Sequence, residues 1–475
     1  MGSEWITYSV DEIATVKSGK RLPKDESLTD KKTSYPYIRL VDVNQGKIDS
    51  SKIQYLEPKT QNKISRYIVE ANDVCLAIVG HTIGMVFYVE DEWNSANLTE
   101  NAARLTDISS SFNPRYIYYY LISPVGQSEI ISRKVGSAQG KLPLYNIKEL
   151  KIKAPDRITQ DHIVDVLLSL DNKITLNRQI NQTLEQMAQT LFKSWFVDFD
   201  PVVDNALDVG FFEQDLAFSD ELLRRVEVRK AVRESDNFKP LSEDIRRLFP
   251  NAFEECAESA LGLGGWVPKG WGSSPVGSLI ELIGGGTPKT SESSYWGGDI
   301  PWFSVVDAPN DSDVFVMDTE KKITELGIQN SSAKILKVGT TIISARGTVG
   351  KCALVAKPMA INQSCYGIVG KNGIHDYFTY YLIRHSVSHL QQRSHGSVFS
   401  TITRDTFNSF NFIFSGDLIA NAFGETISFW FEKIARNNQQ NYILQKLRDT
   451  LLPKLISGEL SLSDIKIDIP EETLI

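Results

Sequence analysis

The sequence predicts an α+β protein in which two mixed α/β domains, related by an internal repeat, are joined by two long helices that form an antiparallel coiled coil. Three observations favour this fold class. The two halves of the chain align in order, short β-branched and aromatic segments alternate with turn residues over about 150 residues of each half, and each half ends in a segment of helical periodicity. The chain has 475 residues, 41% of them hydrophobic, which is enough for about two to four globular domains.

The repeat keeps its order along the chain. Trp5 aligns with Trp271, and residues 77–84 align with residues 343–350, both at an offset of 266 residues. The offset falls to 261 at residues 119–122 and to 260 in the helical segments. Slippage of a few residues is what insertions in surface loops produce, so we interpret the halves as two copies of one unit.

The helical segments predict paired rods. Residues 160–196 contain neither proline nor glycine and predict a helix of about 55 Å. Apolar residues recur there at spacings of three and four, and the seam turns polar at the same place in both helices, with Arg448 as a further exception in the second. Asparagines on the seam predict a fixed coiled-coil register, whereas the alternative is a solvated face on two ordinary amphipathic helices. These register residues are Asn177, Asn181, Asn437 and Asn441.

Composition and periodicity together predict six segments. They are a first globular domain (1–157), a first helix (158–197), an acidic connector (198–265), a second globular domain (266–416), a second helix (417–460) and a C-terminal tail (461–475).

Charge is concentrated in one segment. The chain carries 51 basic and 59 acidic residues, a net charge of −8, and the connector alone accounts for this excess. The remainder is near neutral and leaves room for a locally positive groove. The connector would repel phosphate, so we expect it to lie away from nucleic acid, either facing a partner subunit or as a solvated linker. Residues 220–233 and 242–249 within it predict short helices.

Cysteine usage and hydropathy predict a cytoplasmic protein without membrane spans. The four cysteines lie far apart, the chain opens without a signal-peptide pattern, and its apolar runs are much shorter than the roughly 20 residues that cross a bilayer. Cys352 and Cys365 are expected to be small buried residues.

Several strings resemble the specificity subunit of type I restriction-modification enzymes. The family's element order is the same: recognition domain, conserved helix, recognition domain, conserved helix. The strings are residues 195–202 (WFVDFDPV), 248–250 (LFP), 267–271 (VPKGW), 285–288 (GGTP) and 452–459 (LPKLISGE).

This resemblance implies a DNA-reading subunit without catalytic activity or a cofactor of its own. Two target recognition domains would each read half of a bipartite, asymmetric site in double-stranded DNA, and the helices would act as a ruler between them. The helices would also dock two modification subunits, which use S-adenosylmethionine to methylate adenine. Two restriction subunits would use ATP and Mg²⁺ to translocate and cleave DNA. The first domain has Lys20-Arg21-Leu22-Pro23 where the second has the family-like Gly-Gly-Thr-Pro.

Catalytic alternatives lack their motifs. Residues 346–352 miss the first glycine and the final hydroxyl of a Walker A loop, and the [ND]PP[FYW] string of amino-methyltransferases is absent from the sequence. His385 and His389 have helical metal-ligand spacing, but no glutamate follows His385, so surface or packing roles are expected and no metal site is predicted. A single-chain methyltransferase or nuclease, and a non-reading decoy, are the alternative functions.

Candidate DNA contacts lie in loops that combine glycine, hydroxyl and cationic residues, because base edges are read by donors and acceptors while cations bind phosphates. The glycines near residues 80–84 and 346–350 could instead serve only a tight turn. The candidates in the first domain are Lys20, Arg21, Lys24, Lys31, Lys32, His81, Thr82, Gln139 and Lys141. Those in the second are Thr287, Lys289, Arg346, Thr348, Arg393, His395 and Ser397.

Overall fold

The computed structural model describes residues 5–136, 140–236, 238–258, 261–393 and 401–460. The chain divides into two compact units. Unit 1 contains Met1–Ile174 and Ile443–Ile475, and unit 2 contains Thr175–Tyr442. Each unit contains one globular domain and part of each long helix.

In the described residues of the first globular domain, in unit 1, short strands are combined with five α-helices. Its strands are β1 (Ile6–Ser9), β2 (Thr15–Ser18), β3 (Pro36–Ile38), β4 (Val43–Asn44), β5 (Lys47–Ile48), β6 (Gln54–Tyr55), β7 (Val74–Ala77), β8 (Val86–Tyr88), β9 (Asn97–Leu98), β10 (Ala102–Thr106) and β11 (Lys151–Ala154). Its helices are α1 (Val10–Ile13), α2 (Pro58–Lys63), α3 (Pro114–Ile122), α4 (Pro124–Ser132) and α5 (Leu144–Lys148), followed by the long helix α6 (Arg157–Phe196).

The connector forms α7 (Asp200–Asp208), α8 (Asp220–Arg233), α9 (Glu243–Arg246) and β12 (Phe253–Glu255), and β12 pairs with β13 (Trp266–Pro268) at the start of the next segment. The second globular domain, in unit 2, then repeats the mixed architecture. Its strands are β14 (Gly272–Pro275), β15 (Ile280–Gly284), β16 (Trp296–Phe303), β17 (Phe315–Val316), β18 (Lys322–Ile323), β19 (Ile335–Leu336), β20 (Thr341–Ser344), β21 (Cys352–Val355), β22 (Met359–Ile361), β23 (Cys365–Gly370) and β24 (Asn411–Phe414). Its helices are α10 (Val276–Leu279), α11 (Glu325–Gln329), α12 (Asp376–Arg393) and α13 (Arg404–Asn408), followed by α14 (Asp417–Ser457).

The sheets confirm the internal repeat. The main sheet of the first domain has the order β2-β10-β7-β8, and that of the second has β15-β23-β20-β21-β17, so four strands correspond in order and one is added. A parallel pair also recurs, β3 with β9 and β16 with β22. Strands β1 and β11 pair in the first domain as β14 and β24 do in the second.

The long helices pack against each other in antiparallel fashion, which confirms the paired-rod interpretation. Within unit 2, the Asn177 amide donates to Asn441 Oδ1 at 2.9 Å, and the Asn437 amide donates to Asn181 Oδ1 at 2.8 Å. A step of four residues up one helix is therefore a step of four residues down the other. All four predicted register residues are buried.

The same two helices make a different polar contact within unit 1. Arg448 Nη1 donates to Asp171 Oδ1 at 2.9 Å, and the Tyr119 hydroxyl of α3 donates to Asp171 Oδ2 at 2.7 Å. The polar exception on the second seam is thus one half of an ion pair. Around it, the start of α6 and the end of α14 share an apolar core with the first domain.

The connector is folded, so the alternative of a solvated linker is wrong for its described residues. Helix α8 has the predicted bounds, and residues such as Phe199, Val203 and Leu222 are buried in the core of unit 2. Aspartates one turn apart on α7 face arginines one turn apart on α8: Arg225 Nε donates to Asp200 Oδ1 at 2.7 Å and Arg229 Nε to Asp204 Oδ1 at 3.0 Å.

Candidate nucleic-acid interface

A loop that follows β2 is closed tightly onto the loop that follows β9. The Lys20 amide donates to the Leu98 carbonyl at 2.8 Å, and the Tyr37 hydroxyl donates to the Lys20 carbonyl at 2.8 Å. Burial raises the pKa of Tyr37 to about 12, which keeps its hydroxyl protonated further into the alkaline range than that of an exposed tyrosine. A Cβ atom on Gly19 would lie 2.0 Å from the Thr99 carbonyl oxygen, so this approach requires glycine.

The second domain closes the corresponding loops with the same contacts. The Gly286 amide donates to the Ile361 carbonyl at 2.9 Å, and Trp302 Nε1 donates to the Gly286 carbonyl at 2.9 Å. A Cβ atom on Gly285 would lie 2.0 Å from the Asn362 carbonyl oxygen. A tryptophan thus replaces a tyrosine as the donor, and the backbone arrangement is kept.

A further loop joins this arrangement in each domain. In the first, the Ile78 amide donates to the Asn101 carbonyl and the Leu142 amide donates to the Ile78 carbonyl, both at 2.9 Å. In the second, Ala345 takes the place of Ile78. Its amide donates to the Ser364 carbonyl at 2.7 Å and its carbonyl accepts from Ile402 at 2.9 Å.

These contacts define two loop clusters. The first loop cluster consists of residues 19–21, 78–82, 98–101 and 140–142, and the second consists of residues 285–287, 345–348, 361–364 and 401–402. In both, the loops lie at the ends of the central strands, so a rigid sheet positions side chains that are themselves exposed or half-buried.

One side-chain pair occupies the same place in each cluster. Arg21 Nε donates to Glu100 Oε1 at 2.7 Å in the first, and the Thr287 hydroxyl donates to Gln363 Oε1 in the second. Partial burial alone would raise the pKa of Glu100. The hydrogen bonds from Arg21, from the backbone and from Thr99, together with the charge of Arg21, outweigh burial, and the pKa is lowered. The same hydrogen bond raises the pKa of Arg21.

Residues 2–186 and 268–414, well over half of the chain, match the family described as the type I restriction modification DNA specificity domain. The chain belongs to this family.

Curated relatives and a solved structure agree. The HindI type I restriction enzyme specificity subunit of Haemophilus influenzae is 26% identical over 96% of this chain and 100% of its own length. The MjaIX specificity subunit of Methanocaldococcus jannaschii is 29% identical over 38% of this chain and 43% of its own length. The S subunit of a type I restriction-modification system from M. genitalium matches with a TM-score of 0.52 at 14% identity, covers 96% of each chain, and shows the fold.

For this type I specificity protein, the structure brings about half of the predicted contact residues into the loop clusters. In both clusters their side chains are exposed or half-buried. Those in the first are Lys20, Arg21, His81, Thr82 and Lys141, and those in the second are Thr287, Arg346 and Thr348.

The other predicted residues lie elsewhere. Lys31 and Lys32 follow Thr29, whose backbone hydrogen bonds are with Tyr55 of β6, while Lys24 and Lys289 are exposed in neighbouring turns. Gln139, His395 and Ser397 lie outside the described residues, as does the side chain of Arg393. The DNA contacts of all these residues stay predictions.

Glu100 and Gln363 were missed by the sequence reasoning. They follow strands β9 and β22, in the pentapeptides Asn97–Asn101 and Ala360–Ser364, which align at an offset of 263 residues. The alignment of the glycine loops also needs correction. Gly19 takes the place of Gly285, so Arg21 rather than Leu22 corresponds to Thr287.

Neither a metal-ligand cluster nor a membrane-spanning helix occurs in the described part of the chain. No group of three or more His, Cys, Asp or Glu residues there could hold a metal ion. His385 packs against the rings of Phe192, Phe410 and Phe412, with centroids about 6 Å apart, as expected of a packing residue. None of the described helices has the length and apolar character needed to cross a bilayer.

Proposed function

We propose that the chain is the DNA-reading, non-catalytic subunit of a cytoplasmic type I restriction-modification enzyme, and that each globular domain reads one half of a bipartite, asymmetric site. The observation that carries this proposal is the pair of loop clusters, which share backbone contacts and differ in their presented side chains. Two readers built on one frame with different side chains are suited to two different half-sites.

The long helices are proposed to set the distance between the half-sites. Helix α6 has 40 residues and α14 has 41, which corresponds to about 60 Å each at 1.5 Å per residue. Buried amides are suited to a ruler because they fix register at a cost in stability. The Asn177–Asn441 contact in unit 2 is a buried amide pair of this kind, and in unit 1 the partly buried Asp171–Arg448 ion pair is the corresponding polar contact between the same helices.

Two modification subunits are proposed to dock on repeated apolar positions of these helices. Ile158 and Leu418 are related by the 260-residue offset and are 69% and 77% exposed, and Met187 and Leu447 are related in the same way and are also exposed. Repeated apolar positions favour two copies of one partner. S-adenosylmethionine would be supplied by these subunits. ATP and Mg²⁺ would be supplied by two restriction subunits that the assembly recruits.

The test is adenine methylation. The full chain is incubated with DNA and S-adenosylmethionine, alone and with its cognate modification subunit, and methylated adenines are mapped by sequencing. We expect methylation of a bipartite motif only when both proteins are present. Methyl transfer by the chain alone would instead establish a single-chain methyltransferase, and methylation without sequence preference would exclude a reading role.

A matched insertion tests the ruler. Seven residues are inserted after Ile174 in α6 and seven after Tyr442 in α14, so that the register contacts on each side are kept. A heptad adds about 10.5 Å, and we expect the spacer of the methylated motif to grow by about 3 base pairs. The control carries the insertion in α6 only, which would break the register and abolish methylation. An unchanged spacer in the matched variant would contradict the ruler.

A further inference from the structure

Each loop cluster holds one pair of side chains on a set of backbone contacts, called here the frame, that is the same in both clusters. Four contacts recur. The amide of Lys20 or Gly286 donates to the carbonyl of Leu98 or Ile361, and the side chain of Tyr37 or Trp302 donates to the carbonyl of Lys20 or Gly286. The Cα atom of Gly19 or Gly285 lies close to the carbonyl of Thr99 or Asn362, and the amide of Thr99 or Asn362 donates to the carbonyl of Ile38 or Phe303. On this frame, Arg21 and Thr287 occupy one position and Glu100 and Gln363 occupy the other.

The frame is kept while its side chains differ in chemistry. The first pair is an ion pair, with 79% of the Arg21 side chain and 28% of the Glu100 side chain exposed. The second pair is neutral, and Gln363 is exposed beside the half-buried Thr287. If these residues had only a structural role, the same residue pair would serve in both domains, because the surrounding contacts are the same.

We propose that these are equivalent base-reading pairs, and that Arg21 with Glu100 reads a G·C base pair while Thr287 with Gln363 reads an A·T base pair. This inference rests on the proposed function and names its specificity residues. Arginine donates two hydrogen bonds to guanine O6 and N7, and a carboxylate accepts from the amino group of cytosine. Glutamine pairs with adenine N6 and N7, and threonine contacts the thymine methyl group.

The contacts in the free chain suit this role. In each pair one side chain donates a hydrogen bond to the other, which holds the two side chains together before DNA arrives. An ion pair as exposed as Arg21 with Glu100 contributes little stability, so exchanging it for base edges costs little.

The test exchanges the two pairs. The double variant Arg21→Thr with Glu100→Gln is expressed with the cognate modification subunit in a host that lacks other adenine methylation, and methylated sites are mapped. We expect one base pair in one half-site to change from G·C to A·T, with about a tenfold or larger change in preference, while the other half-site is unchanged. The reciprocal variant, Thr287→Arg with Gln363→Glu, should change the other half-site from A·T to G·C. The exposed Arg66, which lies outside the loop cluster, provides the control Arg66→Ala, which should leave the motif unchanged.

The outcomes separate the pair assignment from the function. An unchanged motif in both double variants, with normal methylation, overturns the base-reading pairs and leaves the bipartite reader intact, whereas a wild-type chain without a bipartite motif overturns the function itself. Should a double variant fail to methylate, the near-isosteric single variant Glu100→Gln decides. Relaxed selectivity at one G·C position supports the proposal, and unchanged selectivity overturns it.

Discussion

The two globular domains share the pairing of their central strands but differ in the side chains buried on those strands. Strands β7 and β10 of the first domain correspond to β20 and β23 of the second, with the same antiparallel pairing. Between them, the first domain buries an ion pair in which Arg104 Nη1 donates to Asp73 Oδ2 at 2.8 Å, and both side chains are about 5% exposed. The second domain has Gly367 at the place of Arg104.

This difference shows that the repeat conserves backbone pairing rather than side-chain identity. Burial raises the pKa of Asp73, even though the hydrogen bonds from Glu70 and Arg104 act in the opposite direction. In the second domain, Leu336 fills the corresponding space, since a Cβ atom on Gly367 would lie 2.6 Å from its Cδ2 atom. The first sheet therefore contains a buried ion pair at a place where the second sheet packs Gly367 against Leu336.

The largest expected effect is in the first domain. The variant Arg104→Met leaves the Asp73 carboxylate buried without its cation, and we expect a loss of about 3–5 kcal/mol in the free energy of unfolding, measured by urea denaturation of the full chain. Because burial raises the pKa of Asp73, the variant should regain stability as the pH falls through that pKa and the carboxyl becomes neutral.

The matched control removes both charges. The double variant Arg104→Met with Asp73→Leu should recover most of the loss, because replacing a buried ion pair by apolar residues is often neutral or stabilising. If the single variant were as stable as the wild type, the ion pair would be irrelevant to the difference between the domains.

A smaller effect is expected where the domains agree. The variant Gly285→Ala places a Cβ atom against the Asn362 carbonyl, and overpacking of this kind typically costs about 1–3 kcal/mol. Recognition should weaken at one half-site only, as read from the methylated motif. The adjacent Gly284→Ala is the control, because nothing lies within 4 Å of its Cβ position. Equal effects from the two variants would show that the tight loop closure is not required.

The sequence predicted what is periodic and missed what is brought together by the sheet. The seam asparagines could be predicted because helical spacing alone places them on one face, and in the structure they hydrogen-bond across the two helices. Glu100 could not be predicted from the sequence, because it meets Arg21 only after β2 and β10 pair in antiparallel fashion. Aligning the two halves of the sequence also could not place the corresponding strands and loops to within one residue. Val74–Ala77 corresponds to Thr341–Ser344 at an offset of 267 residues, one more than the sequence alignment gave.

The smallest net effect is expected in the helix pair, where the two units again differ: unit 2 uses amides and unit 1 uses the Asp171–Arg448 ion pair. The single variant Asn177→Leu would leave Asn441 Oδ1 buried without this donor, whereas the double variant Asn177→Leu with Asn441→Leu removes both groups. We expect the double variant to unfold within about 1 kcal/mol of the wild type, or to be more stable, because both lost groups are replaced by packing side chains.

Stability alone does not test the purpose of the amides, so the decisive measurement on this double variant is the spacer of the methylated motif. If buried amides fix the register, their removal should broaden the spacer to more than one length while each half-site keeps its own sequence. A single unchanged spacer would show that the Asn181–Asn437 contact and the Asp171–Arg448 pair hold the register by themselves. In that case the amide layer would be redundant in unit 2, and the ion pair of unit 1 would become the next contact to remove.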